Sequence, residues 1–329
     1  MKKLKIGFIS FAHGHAFSYI NCMSRLPEVE IVGIADDNES RVAEVAAKYG
    51  VPYFADYNEL LQTDVDAVVI CSENVYHAPI TIAAARAKKH ILCEKPLGTS
   101  TKDMEQMIRE CRDHGVQLMT AFPCRYIPAV VQAKQAIDSG EIGDIVAIKG
   151  TNRGRMPGRW FIDKSLSGGG AVFDHTVHVM DLMHWFLGCK AVEVYGIADT
   201  LFNDVDIDDA GMVHAKFANG VVTVLDPSWS RSQKSFPMWG DVTMEIIGTK
   251  GVISVDGFAQ KNELYSDQAI KPQWSHWGDD MDQYLVQAFV QALLTGTPVP
   301  ITGEDGMNAA AVALAAYESA RTGEPVRLD

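Results

Sequence analysis

The chain has 329 residues, 47% of them hydrophobic, enough for about two cored domains. Its 42 acidic residues outweigh 29 basic ones, giving a formal net charge of −13. So acidic a surface repels nucleic-acid phosphates and anionic lipid, which excludes both as expected partners and leaves a small molecule.

The opening "MKKLKIGFIS" is basic, but its apolar run turns polar too early for a signal peptide, and it is read as a first strand. No apolar run approaches the roughly 20 residues of a membrane span. Strands are expected at "KIGFIS", "VEIVGIAD", "VDAVVIC", "KHILCEK" and "VQLMTAF". Helices are expected between them at about 16–25, 39–49, 78–87 and 102–114. This alternation is the β-α-β rhythm of a parallel sheet, so residues 1–122 are assigned to a Rossmann-type, doubly wound dinucleotide-binding domain. Gly50 and Gly115 stand where helix ends want a left-handed residue.

From residue 123 the rhythm changes. One helix runs to about Gly140, and then strands follow without regular crossovers: "IVAIKGT", "AVEVYGIAD", "AGMVHAKFA", "VVTVLDPSW", "VTMEIIG" and "GVISVDG". Asn219-Gly220 signals a two-residue hairpin. Further helices are expected at about 170–187, 279–294 and 304–321. Residues 123–329 are therefore assigned to an α+β domain with a large, mostly antiparallel open sheet, and the fold class is α/β overall.

Ligands of open α/β sheets sit at the carboxyl ends of the strands. There the fingerprint G-x-G-x-x-G falls on Ser10, Ala12 and His15, with Gly14 the one glycine left. The context holds nevertheless: a strand before, a helix after, and Asp36 at the end of the second strand, 26 residues after Ser10. A carboxylate there accepts from ribose hydroxyls and repels a 2′-phosphate, as does Asp37 beside it. NAD is thus favoured over NADP. His13 and His15 have a chelating spacing, but no third ligand is evident, and they are read as loop residues beside a dinucleotide, with no metal. Cys22, Cys71, Cys93, Cys111, Cys124 and Cys189 are scattered without a C-x-x-C pair. They are read as reduced thiols of a cytoplasmic protein.

Two stretches carry chemistry. "HILCEKPLG" places Glu94 and Lys95 just past a buried strand. "SGGGAVFDHTVHVMDLMHWFLG" places Asp174, His178 and Asp181 at i, i+4 and i+7 on one helical face, with His175 and His184 pointing elsewhere. A carboxylate one turn before a histidine can orient and tune it for acid–base work. The same three residues also admit a metal reading or a capped, solvated face.

These stretches, with "VDAVVICSENVYHAPITIAAARAKKHILCEKPLG" and Arg125 and Pro128 in "CRYIP", resemble the Gfo/Idh/MocA oxidoreductases, relatives of glucose–fructose oxidoreductase and inositol dehydrogenase. The resemblance spans most of the chain, and E-K-P together with D-x-x-x-H after a glycine run carries it. It implies a nicotinamide cofactor near Asn74, His77, Glu94 and Lys95, a reaction centre at Lys95, Asp174 and His178, and a cis Lys95–Pro96 bond. Where such proteins often read T-P-N, this chain has Ser72, Glu73 and Asn74, and its fingerprint glycines are replaced. The cofactor set is then Ser10, Ala12, His13, Gly14, His15, Asp36, Ser72, Asn74, His77, Glu94, Lys95 and Arg125. Substrate would meet Lys95, Arg125, Trp160, Asp174, His175 and His178, with Tyr126, Arg153, Arg155 and Asp163 nearby. The expected reaction is hydride transfer between NAD and a hydroxyl carbon of a sugar or polyol. A glycoside hydrolase using bound NAD as a relay, and a non-catalytic NAD- or sugar-binding regulator, are its rivals. The resemblance also implies a homodimer or homotetramer through the open sheet face.

Overall fold

The structure, a computed structural model, describes residues 3–268 and 270–328; Met1, Lys2, Ala269 and Asp329 lie outside them. In chain order the elements are β1 (Leu4–Ile9), α1 (His15–Met23), β2 (Val29–Ala35), α2 (Glu39–Tyr49), β3 (Tyr53–Phe54), α3 (Tyr57–Leu61), β4 (Ala67–Ile70), α4 (His77–Arg86), β5 (His90–Cys93), α5 (Thr101–Asp113) and β6 (Leu118–Thr120). There follow α6 (Pro128–Asp138), β7 (Ile145–Thr151), α7 (Lys164–Ser167), α8 (Ala171–Leu187), β8 (Ala191–Asp199), β9 (Ala210–Phe217), β10 (Val222–Asp226), β11 (Thr243–Gly248), β12 (Val252–Asp256), β13 (Lys261–Leu264) and β14 (Gln273–His276). The chain ends with α9 (Met281–Thr295), α10 (Gly303–Thr322) and β15 (Val326–Arg327).

The chain divides into two compact units: Met1–Pro123 with Asp282–Met307, and Cys124–Met281 with Asn308–Asp329. The first boundary falls one residue past the expected 122, but 282–307 belongs with the first unit. Gln117 holds this return segment by donating to Thr297 O and accepting from Val299 N, and Thr120 N bonds Ile301 O. Surface periodicity does not reveal such a return, because its partners lie far away in sequence.

The first unit is a six-stranded sheet in the order β3-β2-β1-β4-β5-β6, and its pairings are parallel. The apolar runs of β1, β4 and β5 are buried, as a sheet covered on both faces requires. β3 and α3 escaped the periodicity reading because each is shorter than one reliable repeat. Their packing explains Gly33 inside β2: a Cβ there would meet Leu60 at 2.7 Å and Phe54 at 2.8 Å.

The second unit has a seven-stranded sheet in the order β12-β11-β7-β10-β9-β8-β15. It is antiparallel except for the β10–β7 pair. The Asn219-Gly220 turn joins β9 and β10, with Gly220 at φ +88°, but three residues, 218–220, and not two lie inside the closing Phe217 N–Val221 O bond. One sheet face packs on α8, and Gly150 is small because Val179 of α8 would lie 2.8 Å from a Cβ there. The strands alternate, so Val194, Val213, Ala215 and Leu225 are buried while Tyr195, Ile197, Met212, Val222 and Ile247 are exposed. Among the described residues no helix is long and apolar enough to cross a membrane.

Candidate functional site

In the first unit the expected cofactor residues gather past β1, β2, β4 and β5. Ser10 follows β1 with φ +66°, the left-handed conformation for which the fingerprint uses glycine. Its Oγ accepts the Ala12 N–H at 3.2 Å. Asp36 Oδ2 accepts the Phe11 N–H at 2.7 Å, and Oδ1 accepts the Asn38 N–H at 2.9 Å. Arg41 lies 3.2 Å from Asp36 Oδ1 and 3.5 Å from Asp37 Oδ1. Burial pushes the Asp36 carboxyl above its ordinary value, against these donors and Arg41.

Asp36 and Ser10 open onto a cavity of about 350 Å³. Its walls include the apolar Ile9, Pro79 and Ile80, the rings of Tyr57 and Tyr76, and Ser72. Three further acids, Asp37, Asp56 and Glu73, also line it. An apolar slot with a carboxylate at its mouth suits an adenosine half, so this unit fits a dinucleotide. Asp56, Tyr57 and Tyr76 escaped the sequence reading, since they follow β3 or lie in a short 3-10 turn that no motif marks. Asn74 begins that turn and is buried.

Glu94, buried past β5, is a hub that no local pattern reveals. His15 Nδ1 stands 2.8 Å from its Oε1, Tyr19 donates to its Oε2 at 3.1 Å, and His13 Nε2 lies 4.0 Å from Oε1. The third group that the sequence did not show beside His13 and His15 is therefore present, with all three donor atoms within 4.8 Å of one another. His13 Nδ1, however, accepts the His15 N–H at 3.2 Å. A neutral His13 then carries its proton on Nε2, the atom that lies 4.0 Å from Glu94 Oε1. His77 is fully buried and ties two loops together, with Nδ1 2.8 Å from Pro96 O and Nε2 3.2 Å from Ser72 O. Burial pushes His77 below its ordinary value. Lys95 is buried and its bond to Pro96 is cis, as expected.

In the second unit α8 carries Asp174, His175 and His178, all buried, together with buried Thr176 and Asp181. Asp174 Oδ2 accepts from Trp229 Nε1 at 3.3 Å and lies 3.4 Å from His175 Nε2. His178 Nδ1 lies 3.8 Å from Cys124 Sγ. The His175 ring stands beside Trp229 and Trp239, and Gly154 lets it approach, since a Cβ there would meet His175 Cε1 at 2.5 Å. The start of α8 is set by Asp208, which accepts from Gly170 N at 3.0 Å and Val172 N at 2.8 Å and receives the Tyr317 hydroxyl at 2.8 Å. Asp208, Tyr317, Trp229 and Cys124 have no sequence signature, because they reach α8 from distant segments.

Several expected ligand contacts have structural partners. Arg125 is paired with Asp181, the third residue of the expected helical face. Asp163 caps α7 by accepting from Ser165 N at 2.9 Å. Arg153 lies 3.6 Å from Asp241, and burial pushes the Tyr126 hydroxyl up to about 12. Trp160 is buried and stacks on Phe161 with ring centroids 3.9 Å apart. Cys22, Cys71, Cys93, Cys111 and Cys124 are buried and Cys189 is half-buried, and none of the six is in a disulfide.

Residues 5–122 match the family described as "Oxidoreductase family, NAD-binding Rossmann fold", and residues 130–254 match "GFO/IDH/MocA C-terminal domain". The chain is 31% identical over 326 residues to the uncharacterized oxidoreductase YrbE of Bacillus subtilis, covering 94% of this chain and 93% of that one. It is 28% identical over 328 residues to the myo-inositol 2-dehydrogenase of Thermotoga maritima, covering 93% of both. The solved structure of levoglucosan dehydrogenase in complex with NADH and L-sorbose superposes with a TM-score of 0.86 at 27% identity, covering 100% of both chains.

Proposed function

Because the chain belongs to the Gfo/Idh/MocA oxidoreductase family, with an NAD-binding Rossmann fold, we propose that it is an NAD-dependent dehydrogenase that oxidises or reduces a hydroxyl-bearing carbon of a sugar or polyol. The observation that carries this reading is α8, which keeps Asp174 and His178 buried one helical turn apart. Buried ionisable groups clustered in this way are the mark of chemistry. The substrate class follows those of myo-inositol 2-dehydrogenase and levoglucosan dehydrogenase.

Ser10, Ala12, His13, Gly14 and His15 form the loop that would hold the dinucleotide's phosphates, and Asp36, Ser72 and Asn74 belong to the same set of contacts. When bound, NAD supplies the hydride acceptor, and its reduced form the donor. His178 removes the proton from the substrate hydroxyl. Lys95 donates to the same oxygen and stabilises the charge that builds there. Asp174, engaged by Trp229 and His175, holds a neighbouring hydroxyl or the histidine pair. His77 holds the turn that carries Lys95. The exposed face with Tyr195, Ile197, Met212, Val222 and Ile247 is the proposed contact of a homo-oligomer, since so much clustered apolar surface calls for cover.

The test is a fluorescence titration with NADH, then a panel of inositols, anhydrosugars and aldoses with NAD. Saturable NADH binding and NADH production on at least one polyol or sugar supports the reading. Turnover of a chromogenic glycoside without net NADH, or NADH binding with no turnover on the whole panel, counts against it. Light scattering on Ile197→Asp tests the oligomer, and an unchanged mass excludes that face.

A further inference from the structure

His15 stands where the fingerprint has its third glycine, as the first residue of α1. The turn before it is open, since a Cβ added to Gly14 would meet no atom within 4 Å. His15 Nδ1 is anchored on Glu94 at 2.8 Å, and 35% of the side chain remains exposed. Among the described residues its Nε2 has no hydrogen-bond partner. The His15 backbone N–H, a first-turn donor suited to a phosphate, is taken instead by His13 Nδ1. The loop has thus given up glycine approach and one backbone donor, and it presents an imidazole in their place.

We propose that His15, protonated and anchored on Glu94, supplies the positive charge that holds the dinucleotide diphosphate in this glycine-poor loop, so that cofactor binding takes up a proton. The proposal rests on the NAD assignment above and names a new determinant of that affinity.

The groups facing the ring are Glu94 and Lys95 beyond β5, His13 of the same loop, Tyr19 one turn along α1, and Asp282 at the start of α9, with Cys71 behind Tyr19. Burial disfavours the imidazolium and Lys95 opposes it, but Glu94 and Asp282 outweigh both, and His15 titrates above its ordinary value. Protonated, His15 cancels the Glu94 charge; neutral, it leaves that carboxylate uncompensated beside an anion-binding loop. Affinity is therefore full below the His15 pKa and falls as pH rises through it, by at most about tenfold per pH unit for one proton.

The experiment is NADH titration of the purified protein by fluorescence from pH 6 to 9, with calorimetry in two buffers of different ionisation enthalpy to count protons. The expected result is a Kd that rises about tenfold or more across the range, with fractional proton uptake on binding. His15→Gln should bind weakly and almost independently of pH. His15→Lys, whose charge persists, should keep its affinity at pH 9, and His13→Gln should keep the pH dependence. A wild-type Kd independent of pH, with no proton uptake, overturns the proposal while leaving the NAD assignment intact. A pH dependence that survives His15→Gln, or that EDTA abolishes, overturns it as well. NADH binding at no pH removes the cofactor assignment and the proposal together.

Discussion

Arg125 and Asp181 close a bidentate ion pair in the second unit, Nε to Oδ2 at 2.7 Å and Nη2 to Oδ1 at 2.6 Å, with both side chains buried. The pair fastens the segment after β6 to α8, and the guanidinium also lies 5.6 Å from the Trp185 ring. Removing one partner strands the other charge in the core. Asp181→Asn should therefore cost about 3–5 kcal/mol of stability. Arg125→Met with Asp181→Leu should cost much less than either single change. Urea unfolding of Arg125→Met, Asp181→Leu and the double variant decides it; additive losses would show that the charges are not coupled.

His77 should make the first unit sensitive to acid. Both of its nitrogens face carbonyl oxygens, which would welcome a second proton, yet burial wins and the folded pKa lies below 6.5. Below 6.5 the unfolded chain then binds more protons than the folded one, so this contribution to stability is lost as pH falls, by up to about 1.4 kcal/mol per pH unit. His77→Gln retains a donor for Pro96 O and cannot titrate. Between pH 7.5 and 5 it should lose less stability than the parent. Parallel losses in chemical unfolding would remove His77 as the cause.

Asp36, Asp37, Asp56 and Glu73 make the rim of the adenosine cavity acidic. A 2′-phosphate there meets several carboxylates, and Arg41 is already shared by Asp36 and Asp37. NADPH should bind at least about tenfold more weakly than NADH, a difference of about 1.4 kcal/mol. Asp36→Ser should narrow that ratio by weakening NADH and relieving NADPH. Parallel titrations read both constants, and equal constants in the parent would exclude the acidic rim as the discriminator.

His178→Ala should lower turnover about 100- to 10,000-fold, the range of general acid–base catalysis. NADH affinity should hold within about threefold, because the histidine acts on the substrate and not on the dinucleotide. Loss of both to the same extent would make His178 a structural residue of α8.

Much of this protein is written in local pattern. Short apolar runs alternating with amphipathic helices dictate the parallel sheet, because a strand buried on both faces and a helix with one apolar stripe have different periods. The helix expected at about 39–49 is α2, Glu39–Tyr49, which ends at Gly50 with φ +65°. Asn219-Gly220 placed its hairpin, and the spacing of Asp174 and His178 put both on one buried helix. Other decisions needed the folded chain. The return of Asp282–Met307 to the first unit, the parallel β10–β7 pair and the two-residue β15 depend on partners far away in sequence. So do the commitment of Arg125 to Asp181 and the convergence of His13, His15 and Tyr19 on Glu94. Periodicity reports which face of an element is apolar, whereas the partner of a buried charge is settled only when distant segments bring it an opposite charge or a hydrogen-bond donor.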